Sequence, residues 1–353
     1  MTPWRLKRYL AHYEGMSNSG NMNQSETSPL VQSALSEALG SAPPAAGKFK
    51  IRVNSLIPDR ATTFDTYIMI NGRMVLYLRA GDALSGKKIA QLQRADVFYV
   101  PDEQRANFKR YIFERMNEDA LDVKTKANIL RESSMTLAEE IFEKQDVQEA
   151  LNDSKELITN FVEFMDQEPL ALSQLVGLSS HDFYTYNHSL DVAIYSLGLG
   201  QVAGYSGADL QELGRGALFH DIGKRHVKAE IICKQGPLDD VEWAQMQKHP
   251  LYGLKILNEY GVSEAMKACC FEHHESFLGN GYPQQLPGNE IHPMARIVAI
   301  TDTYDALTTK RSYNEPMSPA AAVEFLSSKL AAKYDPNLIK AMNSILFKLR
   351  PAG

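Results

Sequence analysis

Eight of the nine histidines lie between residues 181 and 292, inside segments whose apolar residues recur at helical spacing. An imidazole or carboxylate on the apolar face of a helix must be hydrogen-bonded, paired or metal-bound, because burying it alone is costly. The chain beyond residue 180 is therefore constrained to helices that gather polar groups in their interior. Residues 183–198 offer Val192, Ile194, Tyr195 and Leu197; residues 208–219 offer Leu210, Leu213, Ala217, Leu218 and Phe219; residues 294–307 offer Ile297, Ile300 and Ala306. Strand signals are nearly absent there, so an all-α bundle is expected.

The rest of the chain is organised differently. Residues 1–47 are rich in Ser, Asn, Ala and Pro and are expected to form a flexible leader. No apolar core of a signal peptide follows the basic residues 1–10, and no run is long and apolar enough for a transmembrane helix. Phe49, Ile51 and Val53 alternate with polar residues in strand period, and Asn71-Gly72 is a hairpin signal between strand-like residues 62–70 and 74–78. With a helix at 84–92 and a strand at 97–100, residues 48–115 read as a small α+β regulatory domain without a recognisable ligand cluster. Residues 116–170 carry Ile129, Leu130, Leu137, Ile141, Leu151, Ile158 and Phe161 at helical spacing, the pattern of linking helices that pack or form a homodimer. A formal charge of −6 disfavours duplex nucleic acid as a partner. Three cysteines, Cys233, Cys269 and Cys270, are too few for a disulfide framework and read as reduced thiols of a cytoplasmic protein.

His220-Asp221 ends the apolar run GALFHDIGK. A lone pair of this kind is compatible with a hydrogen bond inside a core, but His188, His249, His273, His274 and Asp302 also sit on or beside apolar helical patterns. Five imidazoles and two carboxylates can supply two first-row metals bridged by Asp221. Nitrogen-rich ligation with some carboxylate suits iron or manganese, with zinc, cobalt and nickel also compatible. Cys269 and Cys270 read as core residues, and His181, His226 and His292 as surface or capping residues.

The ordered set of His188, HDIGK at 220–224, KHP at 248–250, HHE at 273–275, GNGYP at 279–283 and TDTYDALT at 301–308 resembles the HD-GYP family of cyclic di-GMP phosphodiesterases. The resemblance covers about half the chain and implies a multidomain protein: a C-terminal all-α HD-type bundle over 171–353, preceded by the small α+β domain. It implies His188, His220, Asp221 and Asp302 around one metal and Asp221, His249, His273 and His274 around the other. A Glu that holds a third metal in some members is replaced by Tyr184, so two metals are expected. Gly281, Tyr282 and Pro283 would shape the mouth of the site and contact substrate or a GGDEF-type signalling partner.

The implied chemistry is hydrolysis of cyclic di-GMP to pGpG and onward to GMP, with a bridging hydroxide as nucleophile and no protein nucleophile. On a continuing helix, Lys224 would share a face with His220 and Asp221, to hold a phosphate oxygen or protonate the leaving 3′-oxygen; capping a helix end is its alternative role. Arg311 and Tyr313 would line the substrate groove, although an ordinary surface ion pair also suits Arg311. Ser276, Leu278 and Asn314 depart from the family pattern, which leaves cyclic-dinucleotide preference open. A receptor that binds without hydrolysis is the alternative function.

Overall fold

The computed structural model describes residues 47–92, 97–116, 121–143, 146–178, 185–234, 236–309 and 316–349. The leader to residue 46, and Tyr184, His181, Arg311, Tyr313 and Asn314, lie outside the described residues. The chain divides into two compact units. One comprises residues 47–201 and 205–215 with 345–349; the other comprises residues 202–204 and 216–344.

In the first unit, strands β1 (Lys48–Arg52), β2 (Thr66–Ile70), β3 (Arg73–Leu78) and β4 (Val97–Pro101) form one sheet in the order β1-β4-β2-β3, with helix α1 (Gly86–Leu92) between β3 and β4. All three pairings are antiparallel. The alternation at Phe49 and Ile51 places both side chains in the core with Phe64, Phe98, Val100 and Phe108. The strand expected over 62–70 begins only at Thr66. Thr62 is held in a turn instead, its hydroxyl donating to the Phe64 carbonyl and its amide to Asp82. Helices α2 (Arg105–Met116), α3 (Val123–Glu143), α4 (Val147–Gln167), α5 (Ala171–Gly177), α6 (Thr185–Val202) and α7 (Gly207–Leu218) follow. Asp146 caps α4 by accepting from the Glu149 amide at 3.1 Å, and Leu151, Leu157, Ile158, Phe161 and Val162 form its buried stripe. Arg131 on α3 and Asp191 on α6, both almost fully buried, form an ion pair at 2.5 Å.

In the second unit the chain leaves α7 through a 3-10 turn (Ile222–His226) and builds α8 (Ala229–Ile232), α9 (Asp240–Met246), α10 (His249–Glu259), α11 (Glu264–Glu272), α12 (Pro293–Thr308), α13 (Pro319–Ser328) and α14 (Pro336–Leu349). Proline occupies the first turn of α10, α12 and α13, where its missing N–H breaks no helical bond. Ser263, His292 and Ser318 cap α11, α12 and α13 through side chains that accept from Met266, Met294 and Ala321 amides. The turn packs on α10, α10 on α11, and α11 on α12. Cys269 and Cys270 are fully buried on α11. No helix among the described residues is long and apolar enough to cross a membrane.

Candidate metal centre

The carboxylate of Asp221 is the middle of the site. α7 stops at Leu218, two residues short of His220, and Asp221 leads directly into the 3-10 turn. The expectation that Lys224 rides on a continuing helix is thereby corrected. A 3-10 turn superposes residues three apart, and this is what sets the Lys224 ammonium on Asp221 Oδ2. The turn is forced by close packing: a Cβ on Gly223 would collide with the His249 carbonyl and the Gly253 amide. Only glycine lets this backbone lie against the first turn of α10, and the approach delivers His249 to Asp221.

The two oxygens of Asp221 face different partners. Oδ1 lies 3.1 Å from His249 Nε2 and 3.7 Å from His273 Nε2, while Oδ2 lies 3.2 Å from His220 Nε2. Asp221, His249, His273 and His274 offer ligand atoms within 4.8 Å of one another, and those of His220 and Asp302 are equally close. Asp221, His220, His249 and His273 are almost completely buried. His188 is buried on α6, in the other unit.

The tautomers follow from the backbone. His220 Nδ1 bonds to the Ala217 carbonyl at 2.7 Å, His249 Nδ1 to Met246 at 2.7 Å and His273 Nδ1 to Cys270 at 2.9 Å. A carbonyl only accepts, so each Nδ1 carries hydrogen and, in the neutral ring, each Nε2 presents a lone pair. Those lone pairs face the Asp221 carboxylate and, for His249 and His273, each other at 3.3 Å. Acceptors crowded on acceptors repel, and a divalent cation among them removes the conflict. A second set of hydrogen bonds fixing the ring orientation is also how histidine ligands are held in metal sites. Burial, reinforced by His220 and His249, pushes His273 down to about 3, and burial holds His274 well below the ordinary imidazole range. Both rings are neutral near pH 7, as ligation requires. The donor set fits a divalent metal.

The GNGYP loop closes over this cluster. The Tyr282 ring stacks on His274, with centroids 4.7 Å apart, and its amide donates to the His274 carbonyl. Burial, then the carboxylates of Asp302 and Asp221, hold its phenol protonated far above the usual tyrosine range. Gly281 does permit a close approach, but to the protein itself: a Cβ there would meet the backbone of His274, Glu275 and Ser276. Glu275, which sequence reasoning did not single out, anchors the loop by accepting from the Gln284 amide at 2.6 Å and the Leu286 amide at 3.0 Å. Its one visible signal is an acidic residue directly after two histidines on an apolar helix. His292 caps α12, and exposed His226 packs its ring near Tyr252.

Comparisons with known proteins agree with this architecture. A family model described as an HD domain matches residues 171–338. The 3′3′-cGAMP-specific phosphodiesterase 2 of Vibrio cholerae is 30% identical over 266 residues, 75% of this chain and 48% of that protein. The cyclic di-GMP phosphodiesterase PA4108 of Pseudomonas aeruginosa is 34% identical over 176 residues, 50% of this chain and 42% of that one. The chain thus spans about half the length of the curated relatives it matches. The solved structure of Bd1817, an HDG"Y"P protein from Bdellovibrio bacteriovorus, superposes with a TM-score of 0.67 at 27% identity, covering 85% of this chain and 99% of that chain. The histidine-aspartate cluster and GNGYP loop of this chain, together with these relatives, establish that it belongs to the HD-GYP family.

Proposed function

We propose that the chain is a metal-dependent phosphodiesterase that opens cyclic dinucleotides, with cyclic di-GMP and 3′3′-cGAMP as the substrates to compare. The observation that carries the reading is Asp221, whose Oδ1 faces His249 and His273 while Oδ2 faces His220. A carboxylate so disposed suits a bridge between two cations. In this reading His249, His273 and His274 hold one, and His188, His220 and Asp302 hold the other, with iron or manganese as the metal. When bound, such a pair supplies a nucleophilic water at neutral pH and neutralises charge on the phosphoryl group. The names of the curated relatives in Vibrio cholerae and Pseudomonas aeruginosa support the substrate class.

The chain's own groups divide the remaining work. His220, His249 and His273 are oriented through the backbone bonds of their Nδ1 groups, and burial keeps His273 neutral. Lys224, partly exposed beside Asp221, supplies the cation that takes a phosphate oxygen or gives a proton to the leaving 3′-oxygen. The Tyr282 phenol, protonated at working pH, donates a hydrogen bond toward the ligand, with Gly281 and Pro283 setting its approach. Arg311 and Tyr313 are assigned to the substrate groove by the family resemblance. The product is pGpG from cyclic di-GMP, with GMP as the further product.

Protein loaded with iron or manganese is incubated with each dinucleotide, and products are separated by chromatography alongside metal analysis. Linear dinucleotide is expected, and Asp221→Ala is expected to lose both metal and turnover. Absence of turnover of either substrate by metal-loaded protein overturns the reading, and tight binding without turnover would select a receptor instead.

A further inference from the structure

We infer that Trp243 is a base-stacking residue of this site, carrying a purine of the bound dinucleotide; the inference rests on the cyclic-dinucleotide reading above. The indole is almost half exposed, at 47%, on α9, a helix with no buried residue. It therefore contributes little to a core, yet its position is fixed with care. Asp239 accepts from the Val241 and Glu242 amides at 2.9 Å, and Glu242 returns the bond by accepting from the Asp239 amide at 2.8 Å. Lys234 pairs with the same Glu242 carboxylate and ties α9 to the preceding segment.

The indole also ends a continuous series of rings. His274, a candidate ligand, stacks on Tyr282 at 4.7 Å and 26°, and Tyr282 meets Trp243 edge to face at 6.3 Å and 80°. The series runs from the metal cluster to solvent. A nucleotide whose phosphate lies at the cluster carries its base outward by one ribose, toward the end of the series. An uncharged indole offers any purine a π-face. A protein partner would also find an apolar surface here, with Val241 73% exposed on the same helix. The ring contact to Tyr282 favours the nucleotide, because it ties the indole to the catalytic cluster.

Trp4 and Trp243 are the two tryptophans of the chain, so Trp4→Phe isolates the Trp243 emission. Titration of this protein with cyclic di-GMP and with 3′3′-cGAMP should give saturable quenching, and inorganic phosphate, which lacks a base, should give none. Trp243→Ala should raise KM, or Kd by equilibrium dialysis, roughly ten-fold or more with kcat little changed. Trp243→Phe should restore most of the affinity and controls for folding. Quenching without hydrolysis would overturn the phosphodiesterase reading and leave base stacking standing. Turnover with no quenching, or with unchanged KM in Trp243→Ala, overturns base stacking and assigns the indole to a protein partner.

Discussion

Substitution of Gly223 by alanine tests the packing on which the site depends. A Cβ at this position would collide with the His249 carbonyl oxygen and the Gly253 amide nitrogen, one turn apart on α10, and lie 2.9 Å from the His249 carbonyl carbon. Every neighbour is backbone, so no side chain can swing aside, and the turn and α10 must separate. Overpacking of this kind costs roughly 1–3 kcal/mol, and contact with helix main chain that cannot yield locally puts Gly223→Ala at the upper end, about 3 kcal/mol. Against a total stability of about 5–15 kcal/mol, that is a large fraction. The same displacement withdraws His249 Nε2 from its 3.1 Å approach to Asp221 Oδ1. Stability and metal content should therefore fall together, although Gly223 offers no ligand atom. Thermal unfolding and metal analysis are run beside Gly177→Ala, a position with nothing within 4 Å of the added Cβ and ordinary φ. The control should change stability by less than about 1 kcal/mol. A Gly223→Ala protein with full metal content and an unchanged melting temperature would refute the claim that this approach builds the site.

Glu275→Ala removes the acceptor of the Gln284 and Leu286 amides, and stranding those groups should cost about 2 kcal/mol and loosen the loop after Tyr282. Faster proteolysis within residues 279–287 checks this, and an unchanged cleavage rate counts against the anchor. The metal-free protein should lose stability on acidification. Burial pushes His273 down to about 3 and lowers His274 likewise, so below an unfolded-state value of about 6.5 the unfolded chain binds more protons. Stability from these rings is complete above about 6.5 and is lost as pH falls toward 3, on the order of 5 kcal/mol for His273 at the acid end. Glu272, raised to about 7 by burial, acts oppositely between about 4.5 and 7, and Glu275, also raised by burial, acts in the same sense, but the two imidazoles outweigh them. Urea midpoints of EDTA-treated protein should be lower at pH 5 than at pH 7, with a shallower difference in His273→Phe; equal midpoints in the parent protein would contradict this sign.

The ligand candidates were legible because burying a polar group is costly enough to leave a mark in the sequence. His220, Asp221, His249 and His273 each interrupt an apolar helical pattern, and each needs a partner of complementary chemistry elsewhere in the chain. The cap of α9 has a related form, since the Asp239 and Glu242 side chains supply both ends of a reciprocal bond. What escaped were the features whose second partner is backbone. Periodicity carries the α7 pattern through Phe219, but the helix stops at Leu218 because Gly223 must reach the main chain of α10, and main chain has no letter in the sequence. Gly281 was expected at the mouth of the site, but its close approach to the backbone of residues 274–276 is not written in the sequence. Glu275 is the extreme case: both oxygens are taken by amides nine and eleven residues away, so no complementary side chain advertises its role. A buried carboxylate beside two candidate ligands would ordinarily be assigned to the metal as well. Here its two amide bonds show the opposite use: it holds the loop that carries Tyr282, so the HHE sequence joins two ligand candidates to the anchor of the loop covering them.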